Sequence, residues 1–588
     1  MCRIHGQFNA DVSPAELRRV AATQRHGGPD GTGHASGEGW ALGINRLAVM
    51  DPAGGAQPYT LLGGAITVVF NGELYNHDEL RRDLSARGYT FTDRCDGSVL
   101  PALYHLYGDS FTEHLDGMWA VAVLDRRTEP RLLLATDHIG MKPLYYSWRP
   151  ESGELYFASE IPALLAFDAV SAEPWTPGLD AYLATKTPFG ERTMFADIRV
   201  LPPASTAVCD RPGGLRIRRH TRQSTVDADV QETLRREVRR LLIADVPVAT
   251  ITSGGLDSSL VTALAAEVGP PHTFNIAYRG TWPSDERHFA TAVAEHTGAV
   301  YHQVEVDPTR FPDLLVDTVR HLGQPNADPI TLSSYALFAA VREAGFTVAL
   351  TGDAADELFG GYGRMRAATQ ARGPWLESYV DSLGVLPAGA RAALYTDEYA
   401  AEVAAVPAIP VEALAELRGG ASTPLRRIMA FEQAYRLPAY HLRRVDHLSM
   451  AHSIETRLPF CQPSVIRAAA ALSDDACIDA TGVKRALYAA ARGLVPNSVL
   501  DRPKQPFTLP ITAMLAPGWP LWDLANDLLA TPRLCSAGQV SPAAVRKLLT
   551  RQAEQPDDTA ALTIWALAVH ELWREQIAVR PRNEEVAA

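Results

Sequence analysis

The run Ser253-Gly254-Gly255-Leu256-Asp257-Ser258-Ser259 stands directly after the apolar segment 246–252 and opens an apolar helical pattern over 256–267. Glycines let the backbone approach a phosphate closely, and the free N–H groups of a helix start, together with nearby hydroxyls, can then hold it. A Walker-type loop would carry a lysine before its Ser or Thr, and this run has none. An ordinary Gly-rich strand–helix turn is the alternative. The full run after a buried strand favours a phosphate-binding loop.

A second candidate loop, Thr351-Gly352-Asp353-Ala354-Ala355-Asp356-Glu357, follows the apolar segment 346–350. From residue 246 onward, strands that are apolar on both faces alternate with helices, which predicts a parallel sheet covered by helices. Both loops are then expected at the carboxyl edge of that sheet, where such sheets bind ligands. Asp257 and Asp356 would converge there and bind Mg²⁺ through oxygen, whereas a solvated acidic loop is the alternative.

The composition divides the chain into three parts. Residues 1–205 have the pattern of short strands with intervening helices, including a hairpin predicted from the apolar runs 118–124 and 131–136. Residues 206–228 are rich in Pro, Gly, Arg and Thr, which predicts a linker whose arginines are solvated. Residues 229–588 contain the predicted parallel sheet and end in a mostly helical stretch.

The bulk properties restrict the class of protein. A length of 588 residues requires at least two domains, and a formal charge of −13 argues against a nucleic-acid partner. The six cysteines lie far apart without the spacing of a disulfide framework or a zinc site, which favours a reducing compartment. The start MCRIHGQF does not resemble a signal peptide, and no run of eighteen apolar residues occurs. We therefore expect a cytoplasmic protein without a membrane span.

Cys2 is a candidate nucleophile because of its position. Removal of Met1 would leave a cysteine that carries both the thiol and the α-amino group of the chain. A free α-amine titrates near about 8, so it can accept the proton of the thiol at neutral pH without an internal histidine. The alternative is that residue 2 is a cysteine by chance and has no catalytic role. The motifs that follow it along the chain decide between these interpretations.

Several motifs resemble one family in the same order along the chain. The run 253–259, the loop 351–362 and the segment 443–460 resemble the synthetase domain of glutamine-hydrolysing asparagine synthetases, with the pyrophosphate loop of N-type ATP pyrophosphatases. The strings 46–51 and 71–76 match class II glutamine amidotransferase domains. The resemblance implies an α+β N-terminal domain, an antiparallel Ntn-hydrolase sandwich with αββα layers. It further implies an α/β C-terminal PP-loop domain with a parallel sheet and extra helices, use of ATP and Mg²⁺, and a homodimer.

The resemblance also implies roles at the glutamine end. Arg46 pairs with the α-carboxylate of glutamine, which suits a planar guanidinium, and Asp96 holds the α-ammonium. The Asn71 side chain and the Gly72 N–H form the oxyanion hole for the tetrahedral intermediate at Cys2, and Glu73 orients the substrate. Taken singly, Asn71-Gly72 is a common hairpin turn and Arg46 a surface charge.

At the ATP end, the same resemblance assigns ATP and pyrophosphate binding to residues 253–259 and Gly352. Asp353 is implied as a catalytic residue beside the acceptor. Lys504, in the segment 502–507, is implied as the lysine that stabilises negative charge during adenylate chemistry. A surface lysine in a Pro-flanked loop is the alternative.

The chain departs from the family pattern at four places. Arg3 replaces the glycine of the usual start Met-Cys-Gly-Ile and places a large cation beside the nucleophile, where it could lower the pKa of the thiol or crowd the site. His26-Gly27-Gly28 replaces the usual His-Arg-Gly, and residues 95–98 differ around Asp96. Asp353-Ala354 replaces the usual Glu-Gly beside the acceptor, which leaves aspartate in question as the substrate.

Three functions are compatible with these observations. The first is a glutamine-hydrolysing, ATP-dependent amidotransferase that adenylates a carboxylate, by default aspartate to give asparagine, and amidates it with tunnelled ammonia. A different carboxylic acid, such as a biosynthetic intermediate, is also compatible with the altered loop. The second is a ring-closing synthetase of the β-lactam-forming type that does not use glutamine. The third is a non-catalytic binding protein on the same scaffold, which the retained loops and Cys2 disfavour.

Overall fold

The structure is a computed structural model and describes residues 2–210, 214–220, 229–282, 285–419, 422–502 and 509–578. Within these residues the strands are β1 (Cys2–Phe8), β2 (Gly31–Gly37), β3 (Trp40–Arg46), β4 (Tyr59–Leu61), β5 (Ile66–Leu74), β6 (Gly117–Asp125), β7 (Arg131–Thr136), β8 (Tyr145–Arg149), β9 (Glu154–Ala158), β10 (Arg199–Val200), β11 (Ser205–Asp210), β12 (Gly214–Arg219), β13 (Val248–Ile251), β14 (His272–Tyr278), β15 (Val300–Val306), β16 (Val348–Leu350) and β17 (Glu455–Arg457).

The α-helices in the described residues are α1 (Pro14–Thr23), α2 (His77–Ala86), α3 (Leu100–Tyr107), α4 (Ile161–Leu164), α5 (Gly178–Thr185), α6 (Val230–Leu241), α7 (Leu256–Ala266), α8 (Arg287–Thr297), α9 (Phe311–Leu322), α10 (Ile330–Glu343), α11 (Ala355–Phe359), α12 (Gly363–Gln370), α13 (Leu376–Asp381), α14 (Ala388–Ala392), α15 (Asp397–Val403), α16 (Val411–Arg418), α17 (Pro424–Phe431), α18 (Arg443–Met450), α19 (Pro463–Ala470), α20 (Asp474–Cys477), α21 (Arg485–Ala491), α22 (Asn497–Leu500), α23 (Ile511–Met514), α24 (Pro520–Leu528), α25 (Thr531–Ala537), α26 (Pro542–Glu554) and α27 (Asp558–Ala578). A π-helical segment, Glu432–Leu442, leads directly into α18.

Two antiparallel sheets form the N-terminal part. Their strand orders are β10-β8-β9-β1-β3-β2 and β12-β11-β7-β6-β5-β4. Alternate side chains of each sheet meet in a core between them that includes Ile4, Ile44, Val69 and Leu134, as expected for strands whose successive residues face opposite sides. Helices α1 and α4 cover the first sheet, and α2 and α3 cover the second. The predicted αββα sandwich is confirmed.

The second sheet extends into the region that composition assigns to the linker. Strands β11 and β12 form a hairpin, and β11 also pairs with β7. Residues 206–210 and 214–219 thus belong to the sheet, and Arg216, Arg218 and Arg219 lie exposed on its edge strand. Polar residues on an edge strand face water, so their composition resembles that of a linker. Residues 221–228 lie outside the described residues.

The C-terminal part is built on a parallel sheet of order β15-β14-β13-β16-β17. Helix α7 follows β13 and α10 precedes β16, so both are crossover connections of the kind that parallel strands require. The remaining described chain is mostly helical and ends in α27, whose Ala566 carbonyl accepts a hydrogen bond from Tyr182 of α5 at 3.0 Å. The predicted α/β domain with extra helices is confirmed. None of the described helices combines the length and apolarity needed to cross a membrane.

Candidate active sites in the two domains

The register of β1 places Cys2 opposite Arg46 at the end of β3. The Cys2 side chain is buried between the two antiparallel sheets. Burial raises the pKa of its thiol, while the positive chain terminus, the Leu47 N–H and Arg46 act in the opposite direction. A thiol of this kind needs a base before it can attack.

Asn71 offers an unused donor beside this thiol. The Cys2 N–H donates to Asn71 Oδ1 at 3.1 Å, whereas Asn71 Nδ2 is buried and has no hydrogen-bond partner among the described residues. A buried amide donor left unsatisfied costs about 1–3 kcal/mol, so an oxygen that develops negative charge there would be stabilised. At Gly72, a Cβ would lie 2.2 Å from the Met118 carbonyl oxygen, so only glycine fits that strand position.

Arg46 is held by the loop that follows it. Its guanidinium donates to the carbonyl oxygens of Met50 at 3.2 Å, Asp51 at 2.8 Å and Pro52 at 3.3 Å. These bonds fix the plane of the guanidinium of the residue that pairs with Cys2 across β1 and β3. A fixed planar cation is suited to a substrate carboxylate.

Asp96 and Glu73 are two buried carboxylates that lie close enough to influence each other, and Asp96 also influences the pKa of the Cys2 thiol. Asp96 Oδ2 accepts the Leu74 N–H at 2.8 Å. Burial raises the pKa of both acids, and Asp96 adds to the shift at Glu73. A substrate ammonium between them would favour their charged forms. The Glu73 side chain is also directed at Arg457 of the C-terminal domain, at 3.7 Å.

Gln57 contacts Cys2 and was not predicted from the sequence. Its Nε2 lies 3.8 Å from Cys2 Sγ and donates to the Phe70 carbonyl at 3.1 Å, while its Oε1 accepts the Phe70 N–H at 2.8 Å. These bonds lock the amide against β5. Gln57 belongs to no motif quoted above, and only the pairing of distant strands brings it to Cys2.

The phosphate loop has the expected strand–loop–helix geometry. The Ser253 N–H donates to Ser258 Oγ at 3.0 Å, and the Gly255 N–H donates to Ser253 Oγ at 3.2 Å. Gly254 has φ +80, and a Cβ there would lie 2.7 Å from Phe289 Cβ. Glycine is therefore required by both conformation and space. Arg502 Nη1 donates to the Gly254 carbonyl at 3.0 Å and closes the outer side of the loop.

The two candidate loops touch at the carboxyl edge of the parallel sheet, as the alternation of strands and helices predicts. Strands β13 and β16 are neighbours, so the loops that follow them emerge side by side. A Cβ on Gly352 would lie only 2.7 Å from the Ser258 nitrogen. The second loop therefore rests on the first turn of α7.

Lys484 is the cation that the structure places between the loops. Its Nζ lies 2.5 Å from Asp257 Oδ2 and 2.6 Å from Asp356 Oδ1, and the side chain is 1% exposed. At Gly361, a Cβ would lie 2.1 Å from Lys484 Cε, so the glycine makes room for the lysine. Lys504, the lysine implied by resemblance, lies outside the described residues. Lys484 stands just before α21, 128 positions after Asp356 in the chain. It belongs to no quoted motif and is one of only five lysines in the chain.

Several charged side chains lie near Asp353. Arg444 pairs with Asp328 and approaches Asp353 Oδ1 at 4.0 Å, and Tyr440 donates to Asp328 Oδ2 at 2.7 Å. Lys186 Nζ lies 5.9 Å from the centre of the Tyr440 ring, and burial lowers the pKa of Lys186 to about 8. We call Lys186, Asp328, Asp353, Tyr440 and Arg444 the acceptor cluster. The π-helical segment supplies Tyr440, in keeping with the frequent use of such segments at functional sites.

Ala354, next to Asp353, has φ +78 and ψ −6. This left-handed conformation strains a residue with a Cβ, and the family pattern has glycine at this position. Thr351 Oγ1 donates to Asp353 Oδ2 at 2.6 Å and thereby fixes the carboxylate at the start of the turn. The replacement of the usual Glu-Gly by Asp353-Ala354 thus produces a strained backbone turn beside the acceptor cluster.

A buried cysteine at residue 2 beside a buried amide, joined to a parallel sheet with a candidate phosphate loop, is the arrangement expected of a two-domain amidotransferase. Family models agree with this class: a glutamine amidotransferase domain model matches residues 1–220, and an asparagine synthase model matches residues 229–575. The chain belongs to the asparagine synthetase family and is a glutamine-dependent carbon–nitrogen ligase.

Individual relatives are similar over most of their length. Asparagine synthetase [glutamine-hydrolyzing] 3 of Bacillus subtilis is 30% identical over 532 residues, which cover 84% of this chain and 83% of the relative. A putative asparagine synthetase [glutamine-hydrolyzing] of Mycobacterium bovis is 30% identical over 633 residues, covering 97% and 94%. Among solved structures, a glutamine phosphoribosylpyrophosphate amidotransferase of B. subtilis covers 65% of this chain and 79% of its own, at 14% identity and a TM-score of 0.28.

Proposed function

We propose that this chain hydrolyses glutamine at Cys2 and uses the ammonia and ATP to convert a carboxylic acid, by default aspartate, into its amide. One observation carries the synthetase half: Lys484 Nζ lies between Asp257 of the phosphate loop and Asp356 of the second loop. A buried cation at that point would stabilise the charge that develops when a carboxylate attacks a phosphate.

The glutaminase half uses the groups around Cys2. The Cys2 thiol gives its proton to the α-amino group of the mature chain, and the thiolate attacks the side-chain amide carbon of glutamine. Asn71 Nδ2 donates to the oxygen that becomes negative. The tetrahedral intermediate then expels ammonia with the returned proton, and water hydrolyses the thioester to release glutamate and the free thiol.

The synthetase half forms and consumes an activated acid. An oxygen of the acceptor carboxylate attacks the α-phosphorus of ATP, and pyrophosphate leaves toward residues 253–259. Ammonia then attacks the acyl carbon, loses a proton and displaces AMP, which gives the amide. Separate sites keep ammonia away from bulk water, where it would be protonated and lost.

Asp257 and Asp356 are the residues that would hold Mg²⁺. Each carboxylate places one oxygen on Lys484 Nζ and has a second oxygen, and Mg²⁺ in nucleotide sites is usually held by one or two carboxylates together with substrate phosphates. In the described part of the chain, no group of three or more His, Cys, Asp or Glu residues is placed to hold a metal ion. Bound there, Mg²⁺ would neutralise phosphate charge.

The acceptor cluster is proposed to receive the acid. Lys186 and Arg444 would attract an acid that carries a second negative group, and Asp328 would attract its ammonium. Aspartate has all of these groups. A related biosynthetic carboxylic acid would also fit this description, whereas a ring-closing reaction without glutamine would leave Cys2 and the buried Asn71 amide unused.

The test is a screen for pyrophosphate release with aspartate and other carboxylic acids, each with glutamine or ammonium as nitrogen source. We expect one acid to release pyrophosphate and to be amidated with either source. Cys2→Ala should abolish turnover with glutamine and leave turnover with ammonium unchanged. Loss of both activities in a folded Cys2→Ala protein would show that the two-site assignment is wrong. A cytoplasmic location, a homodimer and the absence of a nucleic-acid partner stay predictions.

A further inference from the structure

Arg3 follows Cys2 on β1 and is fully buried. Its side chain is directed away from the glutamine site. Successive side chains of a strand face opposite sides, so Arg3 points away from Cys2. Its Nε lies 2.6 Å from Glu160 Oε1, its Nη1 lies 2.7 Å from Asp446 Oδ2, and its Nη2 donates to the Asp446 carbonyl at 3.4 Å. Asp446 belongs to α18 of the C-terminal domain. The arginine therefore links the nucleophile strand to the synthetase domain.

Gly27 is the neighbour that makes this position possible. A Cβ on residue 27 would lie 2.7 Å from Arg3 Cγ and 2.8 Å from Arg3 Nε. A side chain at position 27 and an arginine at position 3 thus exclude each other. The family pattern has glycine at position 3 and arginine at position 27, and this chain has the reverse. We read the two departures as one exchange, in which a guanidinium enters this space from β1 instead of from the short helical turn Arg25–Gly27.

The acids that receive Arg3 have further partners. Asp446 Oδ1 accepts Lys142 Nζ at 2.8 Å, and Glu160 Oε1 lies 3.0 Å from His26 Nε2. All of these groups except His26 are almost completely buried. Two buried carboxylates need this positive charge, because a buried charge without a partner is strongly unfavourable.

Helix α18 continues the link to the acceptor side. Two residues before Asp446, Arg444 pairs with Asp328 and lies 4.0 Å from Asp353 Oδ1. Buried residues in the first turn of α18 thus contact both the nucleophile strand and the acceptor cluster. A displacement of β1 would therefore move the acceptor cluster as well, because both are bound to the same turn of α18.

We propose that Arg3 is a positioning residue that, by occupying the space opened by Gly27, holds the glutaminase and synthetase sites in register, so that ammonia is delivered and not lost. This inference rests on the proposed function. Cys2 remains the group that reacts, and Arg3 acts through Asp446 and α18.

The test compares Arg3→Gly, Gly27→Arg and the double variant Arg3→Gly/Gly27→Arg. The readout is glutamine hydrolysed per pyrophosphate released. We expect Arg3→Gly to raise this ratio about threefold or more while ammonium-dependent pyrophosphate release stays within about twofold. Gly27→Arg alone should lower the yield of folded protein, because two side chains compete for one space. The double variant should return the ratio to that of the unsubstituted enzyme.

The control is Arg25→Gly, which removes an exposed arginine two residues from Gly27 and should leave the ratio unchanged. An unchanged ratio in Arg3→Gly would overturn the inference, and so would a folded double variant with a raised ratio. If Arg3→Gly does not fold, the double variant alone decides. Failure of the proposed function would appear differently, as no pyrophosphate release by the unsubstituted enzyme with any acid.

Discussion

The side-chain amide of Asn71 accepts a hydrogen bond from the Cys2 backbone with its oxygen, and its nitrogen has no hydrogen-bond partner among the described residues. Lys484 is similarly committed, because its ammonium is bound by two carboxylates from different loops. At the scale of the residue, each site has one buried polar group whose removal should affect one half-reaction and leave the other intact.

Asn71→Ala should lower glutamine hydrolysis by about 100- to 1000-fold, because the oxyanion would lose its side-chain donor. Turnover with ammonium should be unchanged. Steady-state assays with the two nitrogen sources measure both effects. Asn497→Ala, at an exposed asparagine, is the matched control. Equal losses with glutamine and with ammonium would contradict a local role for Asn71.

Lys484→Gln should reduce ammonium-dependent pyrophosphate release by at least about 100-fold, since the cation that faces the developing charge is removed. Glutamine hydrolysis without ATP should persist. Lys547→Gln replaces an exposed lysine of α26 and should behave like the unsubstituted enzyme. A Lys484→Gln protein that still releases pyrophosphate at the normal rate would exclude this lysine from the reaction.

At the scale of the element, the loop 351–354 shows how a short turn is positioned by its neighbours. Gly352 rests against the start of α7, and Ala354 then takes a left-handed conformation before α11 begins. The strain at Ala354 persists because the surrounding contacts hold both ends of the turn.

Ala354→Gly and Ala355→Gly should therefore have opposite effects on stability. Glycine at 354 relieves a left-handed conformation and should raise the free energy of unfolding by up to about 1 kcal/mol. Glycine at 355, the first residue of α11, should lower it by roughly 0.5–1 kcal/mol. Urea unfolding of both variants measures the difference. Destabilisation by both substitutions would show that Ala354 is not strained in solution.

At the scale of the whole molecule, buried charges tie the two domains together. Arg457 of β17 pairs with Glu455 at 2.6 Å and approaches Glu73 of β5 at 3.7 Å. His447 of α18 makes a hydrogen bond with Tyr145 of β8 at 2.9 Å. The domain contact thus includes buried polar and charged groups, and it should respond to pH.

Stability should fall as the pH drops from about 6.5 toward 4. Burial lowers the pKa of His447 to about 4, with Arg3 as the next cause. Between this value and the ordinary value near 6.5, the unfolded chain binds a proton that the folded chain does not, so acid favours unfolding. His447→Gln should reduce the pH dependence by up to about 1.4 kcal/mol per pH unit in this window.

The measurement is urea unfolding at pH 7, 6 and 5. His288→Gln, at an exposed histidine, is the control and should leave the pH dependence unchanged. An identical slope in His447→Gln and in the unsubstituted protein would contradict the prediction that His447 is neutral in the folded state.

The sequence predicts the architecture well where local patterns decide it. The apolar runs before residues 253 and 351 and the hairpin of β6 and β7 are all present. The failure at residues 206–219 has a local cause, because an edge strand with arginines facing water has the composition of a linker. Lys484 and Gln57 could not be predicted in this way, since each belongs to no local pattern and reaches its site only through packing.

By itself, the sequence determined the division into two parts, their sheet types and the position of the two candidate loops, because strand periodicity and glycine-rich turns are properties of neighbouring residues. Only the tertiary structure decided which cation lies between Asp257 and Asp356, and why Arg3 and Gly27 occur together. The position of Lys484 and the pairing of Arg3 with Gly27 both depend on contacts between side chains from distant segments of the chain. A pattern of neighbouring residues contains no information about such contacts.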